Sequence, residues 1–215
     1  MKRNDHIADC WKRVTLHSDA DAYKQLFYLL NGKFLKFCGQ YISDKETSEE
    51  IVSDIFVDLW QNRSRLAHVE RPEVYMLVSI KNKALRQWKK NSSMQLVPIN
   101  EDLDVFADVY RPDEELEKKE LISQLDKAVA GLPLQCRMAF KLVKEDGMKC
   151  AEVAEVLNIS VRTVHAQIYR AMKKLNSALA QYQENSPETS SKTIIRNIAS
   201  GVAVFFLYFL MSACR

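Results

Sequence analysis

A chain of 215 residues has room for one large domain or two small ones, and its net charge of +3 conceals strong segmentation. Residues 1–95 carry 16 basic and 12 acidic side chains, residues 96–125 carry 3 and 9, and residues 126–182 carry 9 and 5. An acidic stretch between two basic ones argues for two lobes and a connector, and excludes a uniform nucleic-acid coating. The five cysteines (Cys10, Cys38, Cys136, Cys150, Cys214) are odd in number and form no CxxC pair. They read as small buried apolar groups in a reducing compartment. No apolar stretch follows the basic start at Lys2 and Arg3, so no signal peptide is expected.

The pattern is helical almost throughout. Ala22, Leu26, Leu29, Leu30, Phe34 and Phe37 recur at helical spacing, with an interruption near Gly32. Ile51, Val52, Ile55, Phe56 and Leu59 make the stripe of a second helix, which Thr47 or Ser48 would cap ahead of Glu49 and Glu50. Pro72 suits the first turn of a third helix reaching Lys90. Its expected inner path is Val74, Leu77, Val78, Lys81 and Leu85, with Lys81 burying its stem and keeping its charge in water. Residues 94–115, with Pro98 and Pro112, read as a linker. A helix from near Asp113 to Ala130 follows, then a break at Gly131-Leu132-Pro133, a helix from Leu134 to Glu145, and a turn at Asp146-Gly147.

Residues 137–175 carry the most information, because they read as a helix-turn-helix. In the short helix from Lys149 to Leu157, Val153, Val156 and Leu157 face inward and Ala154 permits a close crossing. Asn158 suits a left-handed turn residue, Ile159 plugs the turn, and Ser160 caps the next helix. On that helix Val161, Val164, Ile168, Ala171 and Leu175 share the inner face. Its first turn offers Ser160, Arg162, Thr163 and His165, then Gln167, to a major groove, and Arg170, Lys173 and Lys174 to phosphates. A plain helical hairpin with a solvated basic face is the alternative.

A second basic run lies in the first lobe. Lys81, Lys83, Arg86, Lys89 and Lys90 occur within ten residues that contain no acid, with Asn82 among them and Tyr75 and Trp88 nearby. Cations that hold a backbone and rings that stack on bases suit single-stranded or melting DNA. A solvated helix face would look the same in isolation. Asp54 and Asp58 lie one turn apart on the polar side of the second helix and, with the exposed edge of Trp60, read as a docking surface. Core packing with a solvated acidic face is the alternative, and the reading that suits Ile55, Phe56 and Leu59 better.

Enzyme readings find little material. His6, His17, His68 and His165 form no metal-spaced pair, and HExxH, Walker and GxGxxG motifs are missing. Asp102, Asp104 and Asp108 lack the glycine of a calcium loop and read as a solvated linker. No catalytic residue, metal or cofactor is expected. The end of the chain differs from the rest: residues 183–193 form a polar spacer, and no charge occurs from Asn197 to Cys214. That length approaches the roughly 20 residues of a spanning helix. It fits a C-terminal membrane anchor with Lys192 and Arg196 on the cytoplasmic side. A buried tail helix, or a tail held by a partner, also fits.

Taken together, the two halves resemble the extracytoplasmic-function (ECF) sigma factors of bacterial RNA polymerase, within the sigma-70 family. The first half does so through Ala22-Tyr23-Lys24-Gln25-Leu26-Phe27, through Ser48 to Trp60 with Phe56 and Trp60 four apart, and through Arg71 to Arg86. The second does so through Leu132 to Phe140, Ala151 to Val164, and Arg170 to Leu175. Three departures are Tyr75-Met76, where members commonly place tryptophan before the leucine, Asn158 in place of the usual turn glycine, and the tail from Ser191 to Arg215, since members usually end near the position of Leu179.

The resemblance implies an all-α fold of two small helical domains on a flexible linker. Its expected division is a region 2-like domain at 15–92, an acidic linker at 93–120, a region 4-like domain at 121–182, the spacer at 183–193 and the apolar tail at 194–215. It implies docking of Asp54, Phe56, Asp58 and Trp60 on core RNA polymerase. Tyr75, Lys81, Asn82, Lys83, Arg86, Trp88, Lys89 and Lys90 would open the minus-10 element, and the helix-turn-helix would read the minus-35 element. The implied partners are core polymerase, promoter DNA and a membrane-bound anti-sigma factor, in the cytoplasm. A tether of the tail to the inner membrane is no part of the resemblance and rests on the uncharged stretch alone. The competing expectations are a helix-turn-helix regulator that acts without polymerase and a membrane-linked helical interaction protein.

Overall fold

The structure is a computed structural model and describes residues 3–92, 123 and 125–185. All of its regular elements are helical: α1 Arg3–His17, α2 Ala20–Cys38, α3 Lys45–Asn62, a short 3-10 turn Arg63–Leu66, α4 Pro72–Ser92, α5 Leu134–Lys144, α6 Cys150–Leu157 and α7 Val161–Asn185. The expected linker, the start of the helix proposed near Asp113 and the apolar tail lie outside the described residues. By contact the chain divides into two units, Met1–Asp102 with Met138–His165, and Leu103–Arg137 with Ala166–Arg215.

In the first unit α2 packs on α1, α3 and α4. No element was expected ahead of α2, yet Ile7, Cys10, Trp11 and Val14 of α1 are buried at helical spacing. The Trp11 indole N–H donates to the Leu66 carbonyl at 3.3 Å, which ties α1 to the 3-10 turn. Between α1 and α2, Ser18 takes a positive φ of 54°. Asp19 then caps α2, accepting from the Ala22 N–H at 3.0 Å and from Arg13 at 2.7 Å. Those bonds, the Ala22 one foremost, hold its carboxyl below the usual range.

α2 runs through Gly32 without the expected break. An exposed glycine costs a helix only about 1 kcal/mol against alanine. Six buried side chains from Ala22 to Cys38 outweigh that. The α3 cap also differs from expectation. Asp44 accepts from the Thr47 N–H at 2.7 Å, so the helix begins at Lys45. Ser48 is instead buried and donates to the Ile42 carbonyl at 3.2 Å.

Phe56 lies at the centre of this core, 2% exposed, with the Phe27 ring at 4.8 Å and the Phe34 ring at 5.9 Å. The Tyr23 hydroxyl donates to the Phe56 carbonyl at 3.0 Å. On α4 the buried face comprises Val74, Met76, Leu77, Ile80, Lys81 and Ala84, whereas Val78 and Leu85 are only half-buried.

α4 also packs against α6 within this unit. The Lys81 ammonium is not in water, as its position suggested. It is buried and donates to the Val156 carbonyl at 2.7 Å. Val156 belongs to the last turn of α6, whose carbonyls have no partner within the helix, so Lys81 acts as a C-terminal cap. Burial holds the Lys81 pKa below its ordinary value. Arg71 pairs with Glu155 at 2.5 Å, and the enclosed Lys33 bridges Glu73 at 2.8 Å and Asp146 at 3.5 Å.

The second unit includes a helical segment at 125–130, which ends at Gly131. Arg137 donates to the Ala130 carbonyl and Lys174 to the Gly131 carbonyl, closing that helix end with charge. The Cys136 thiol donates to the Gln167 carbonyl at 3.1 Å. Burial pushes the thiol pKa values of Cys10, Cys136 and Cys150 up, and that of Cys38 to about 11, which keeps these thiols protonated.

Candidate nucleic-acid and docking surfaces

The helix-turn-helix is built as its residues dictate. The Glu152 carboxylate accepts from the Lys149 N–H at 2.9 Å at the start of α6. At the end of α6, Asn158 adopts φ 57° and ψ 51°, its N–H reaching back to the Ala154 and Glu155 carbonyls. The Ile159 N–H also reaches Ala154 at 3.0 Å, so the helix closes on a left-handed cap. Ser160 then caps α7, its hydroxyl accepting from the Thr163 N–H at 3.0 Å and lying 2.8 Å from the Thr163 hydroxyl.

On α7 the buried stripe is Val164, Ile168, Ala171, Met172 and Leu179, with Leu175 half-buried. Val161, expected on this face, is exposed, and the buried stripe starts at Val164. Arg162, Arg170, Lys173 and Lys174 are exposed, and Thr163 and His165 are half-buried. Gln167 departs from its expected groove-facing role. It is buried beside Ile168, and its side-chain amide donates to Gln135 at 3.2 Å. Its position three residues past Val164 places it on the inner stripe.

In the first unit Asn82, Arg86, Trp88, Lys89 and Lys90 are exposed along α4. The Arg86 guanidinium donates to the Asn82 carbonyl at 3.3 Å. Tyr75 is exposed and meets Trp11 edge-on at 6.2 Å. Lys81 is withdrawn from this surface by its bond to Val156. Met76, not Tyr75, fills the core position of that pair.

Asp54 and Asp58 share one exposed face of α3, as their spacing implies. The structure adds Lys83 of α4, whose ammonium reaches Asp58 at 2.8 Å and Asp54 at 3.4 Å. Phe56 offers no surface to a partner, since its ring is the centre of the core. Trp60 is half-buried, its ring 5.0 Å from Tyr23, with the Arg63 guanidinium 4.5 Å above it. Exposed Val57, between the two acids, was missed, although a helical projection places it on their face. The approach of Lys83 depends on tertiary packing and has no local signal.

Among the described residues no group of His, Cys, Asp and Glu is arranged to hold a metal ion. Among them, too, no helix is long and apolar enough to cross a membrane.

Residues 29–94 match the family profile described as sigma-70 region 2, and residues 122–175 match that of sigma-70 region 4. The ECF RNA polymerase sigma factor SigF of Caulobacter vibrioides is 24% identical over 161 residues, 74% of this chain and 87% of that protein. The ECF RNA polymerase sigma factor SigW of Bacillus subtilis is 23% identical over 169 residues, 75% of this chain and 90% of that protein. Among solved structures, the sigma factor RpoE of Bartonella quintana, in complex with the anti-sigma factor NepR, is similar at a TM-score of 0.55 and 16% identity. That likeness covers 74% of this chain and 96% of RpoE. CnrH, in complex with the cytosolic domain of CnrY, is similar at a TM-score of 0.53 and 18% identity, covering 86% of this chain and all of CnrH. With both regions present in this order and together spanning more than half of its length, the chain belongs to the sigma-70 family and is an ECF RNA polymerase sigma factor.

Proposed function

We propose that this sigma factor binds core RNA polymerase and directs promoter-specific initiation, in the cytoplasm, with no chemistry of its own. The observation that carries the reading is the pairing of two family regions on one chain, each with its own exposed basic helix. In this reading the 15–92 domain docks on polymerase through Asp54, Asp58 and the edge of Trp60, with Phe56 holding that helix from inside. Tyr75, Asn82, Lys83, Arg86, Trp88, Lys89 and Lys90 receive the minus-10 element, and Lys81 joins them only if it leaves Val156. The 121–182 domain reads the minus-35 element through Arg162, Thr163 and His165, with Ser160 positioning the first turn and Arg170, Lys173 and Lys174 on phosphates. Gln167 supports that helix from its inner side. The acidic linker, 93–120, joins the two.

The partner we assign for regulation is an anti-sigma factor bound to the membrane, because RpoE and CnrH, which are similar in fold, are each held by another protein. The uncharged tail suits a tether to the inner membrane. Reconstituted transcription with core polymerase and a genomic fragment library tests this, comparing the full chain with residues 1–190. Promoter-specific transcripts are expected from at least one form, and a gain on truncation makes the tail regulatory. Sequence-specific DNA binding with no transcripts would move the reading to a regulator that acts without polymerase.

A further inference from the structure

Lys83, a member of the proposed DNA-contacting set, also touches the proposed docking set. Its ammonium lies 2.8 Å from a carboxylate oxygen of Asp58 and 3.4 Å from one of Asp54. The Lys83 side chain is 25% exposed, while those of Asp54 and Asp58 are 54–60% exposed. One cation from α4 thus half-neutralises two acids on α3, on a face that also presents Val57. A partner surface attracted to that face must be basic, and its cations would compete with Lys83 for the same oxygens. A phosphate backbone would compete with Asp54 and Asp58 for the same ammonium.

We propose that Lys83 is a shared counter-ion that couples the two binding events. In the free protein it masks the docking acids. When basic groups of core polymerase take over Asp54 and Asp58, the ammonium is released to the DNA strand. This rests on the docking reading given above and adds a direction to it: core binding strengthens DNA binding, and DNA binding strengthens core binding by the same factor, as linkage requires. Partly exposed ion pairs are weak, so the coupling is about two- to fivefold.

The experiment uses the full chain and two probes, core RNA polymerase and a fluorescein-labelled oligothymidylate at low salt. Lys83→Met is expected to bind core about two- to fivefold more tightly and the oligonucleotide more weakly. A role confined to pinning α3 on α4 would weaken both. Asp54→Asn/Asp58→Asn is expected to lose core affinity and, with no polymerase present, to bind the oligonucleotide more tightly. Lys83→Gln repeats the test with a polar side chain, and circular dichroism checks that each variant is folded. Loss of core affinity in the aspartate variant without any gain in Lys83→Met and Lys83→Gln overturns the shared counter-ion alone. Unchanged core affinity in the aspartate variant overturns the docking reading, and the coupling with it.

Discussion

Asn158 shows how one side chain sets the geometry of a motif. Its φ of 57° is a conformation that most residues avoid, yet the turn between α6 and α7 requires it. Asn158→Ala should therefore destabilise the fold by about 1 kcal/mol, while Asn158→Gly should be neutral or slightly stabilising. Urea midpoints of the two variants check this, and equal midpoints would exclude strain at that residue. Lys144 provides a pH test. Burial depresses its pKa from 10.5 to about 8, with the nearby Cys150 acting weakly in the opposite direction. Between about pH 8 and pH 10.5 the unfolded chain holds the proton that the folded chain has released, so stability rises with pH across that window. Below it both states are charged and the burial penalty stands in full. Compared with Lys144→Met, the parent protein should gain relative stability from pH 8 to 10.5. A constant difference would show that the ammonium is not desolvated.

The helices differ in how much of them was legible. The apolar stripes of α2, α3 and α6 follow from spacing, although the break expected at Gly32 and the expected α3 cap do not, and the Asn158 turn followed from one residue type. α1 was not singled out, although Ile7, Cys10, Trp11 and Val14 carry a stripe, because its other residues are strongly polar. The inward turn of Lys81 had no signal, because a lysine at the edge of a stripe usually keeps its charge wet. Its partner is a helix end 75 residues away. That bond makes α6 depend on α4. Lys81→Met should speed amide hydrogen exchange in α6 and leave α2 and α3 unchanged, since it removes the cap but keeps most of the stem packing. Uniform exchange across the chain, or none altered, would count against the cap. Phe56, read at first as part of a docking surface, is better tested as an element's anchor. Phe56→Ala should cost about 3–5 kcal/mol of stability. Thermal unfolding measures it, and a loss below about 1 kcal/mol would contradict its central packing.

For the molecule as a whole, the division of labour among its cations is the point to test. Arg162 lies exposed in the first turn of α7, where a major-groove contact would read bases, whereas Arg170 and Lys90 suit phosphates. Arg162→Ala should flatten the preference of the polymerase complex among minus-35 variants. Arg170→Ala and Lys90→Ala should weaken binding evenly and lower the salt-dependence slope, by about 0.9 for Arg170 on duplex and about 0.7 for Lys90 on an opened strand. Footprinting across promoter variants and salt concentrations separates the two outcomes. An unchanged minus-35 preference in Arg162→Ala would remove that residue from base reading.

The three tryptophans occupy three unlike environments. Trp11 is buried with its indole bonded to Leu66, Trp60 lies half-buried under the Arg63 guanidinium on the helix that carries Asp54 and Asp58, and Trp88 is exposed within the basic run of α4. The protein thus carries its own optical labels. Emission from Trp11 should be blue-shifted and shielded from a soluble quencher until the chain unfolds, that from Trp60 should change when a partner covers α3, and that from Trp88 should be quenched when bases stack on it. Three single-tryptophan variants would follow folding, docking and strand capture as separate signals without any attached dye.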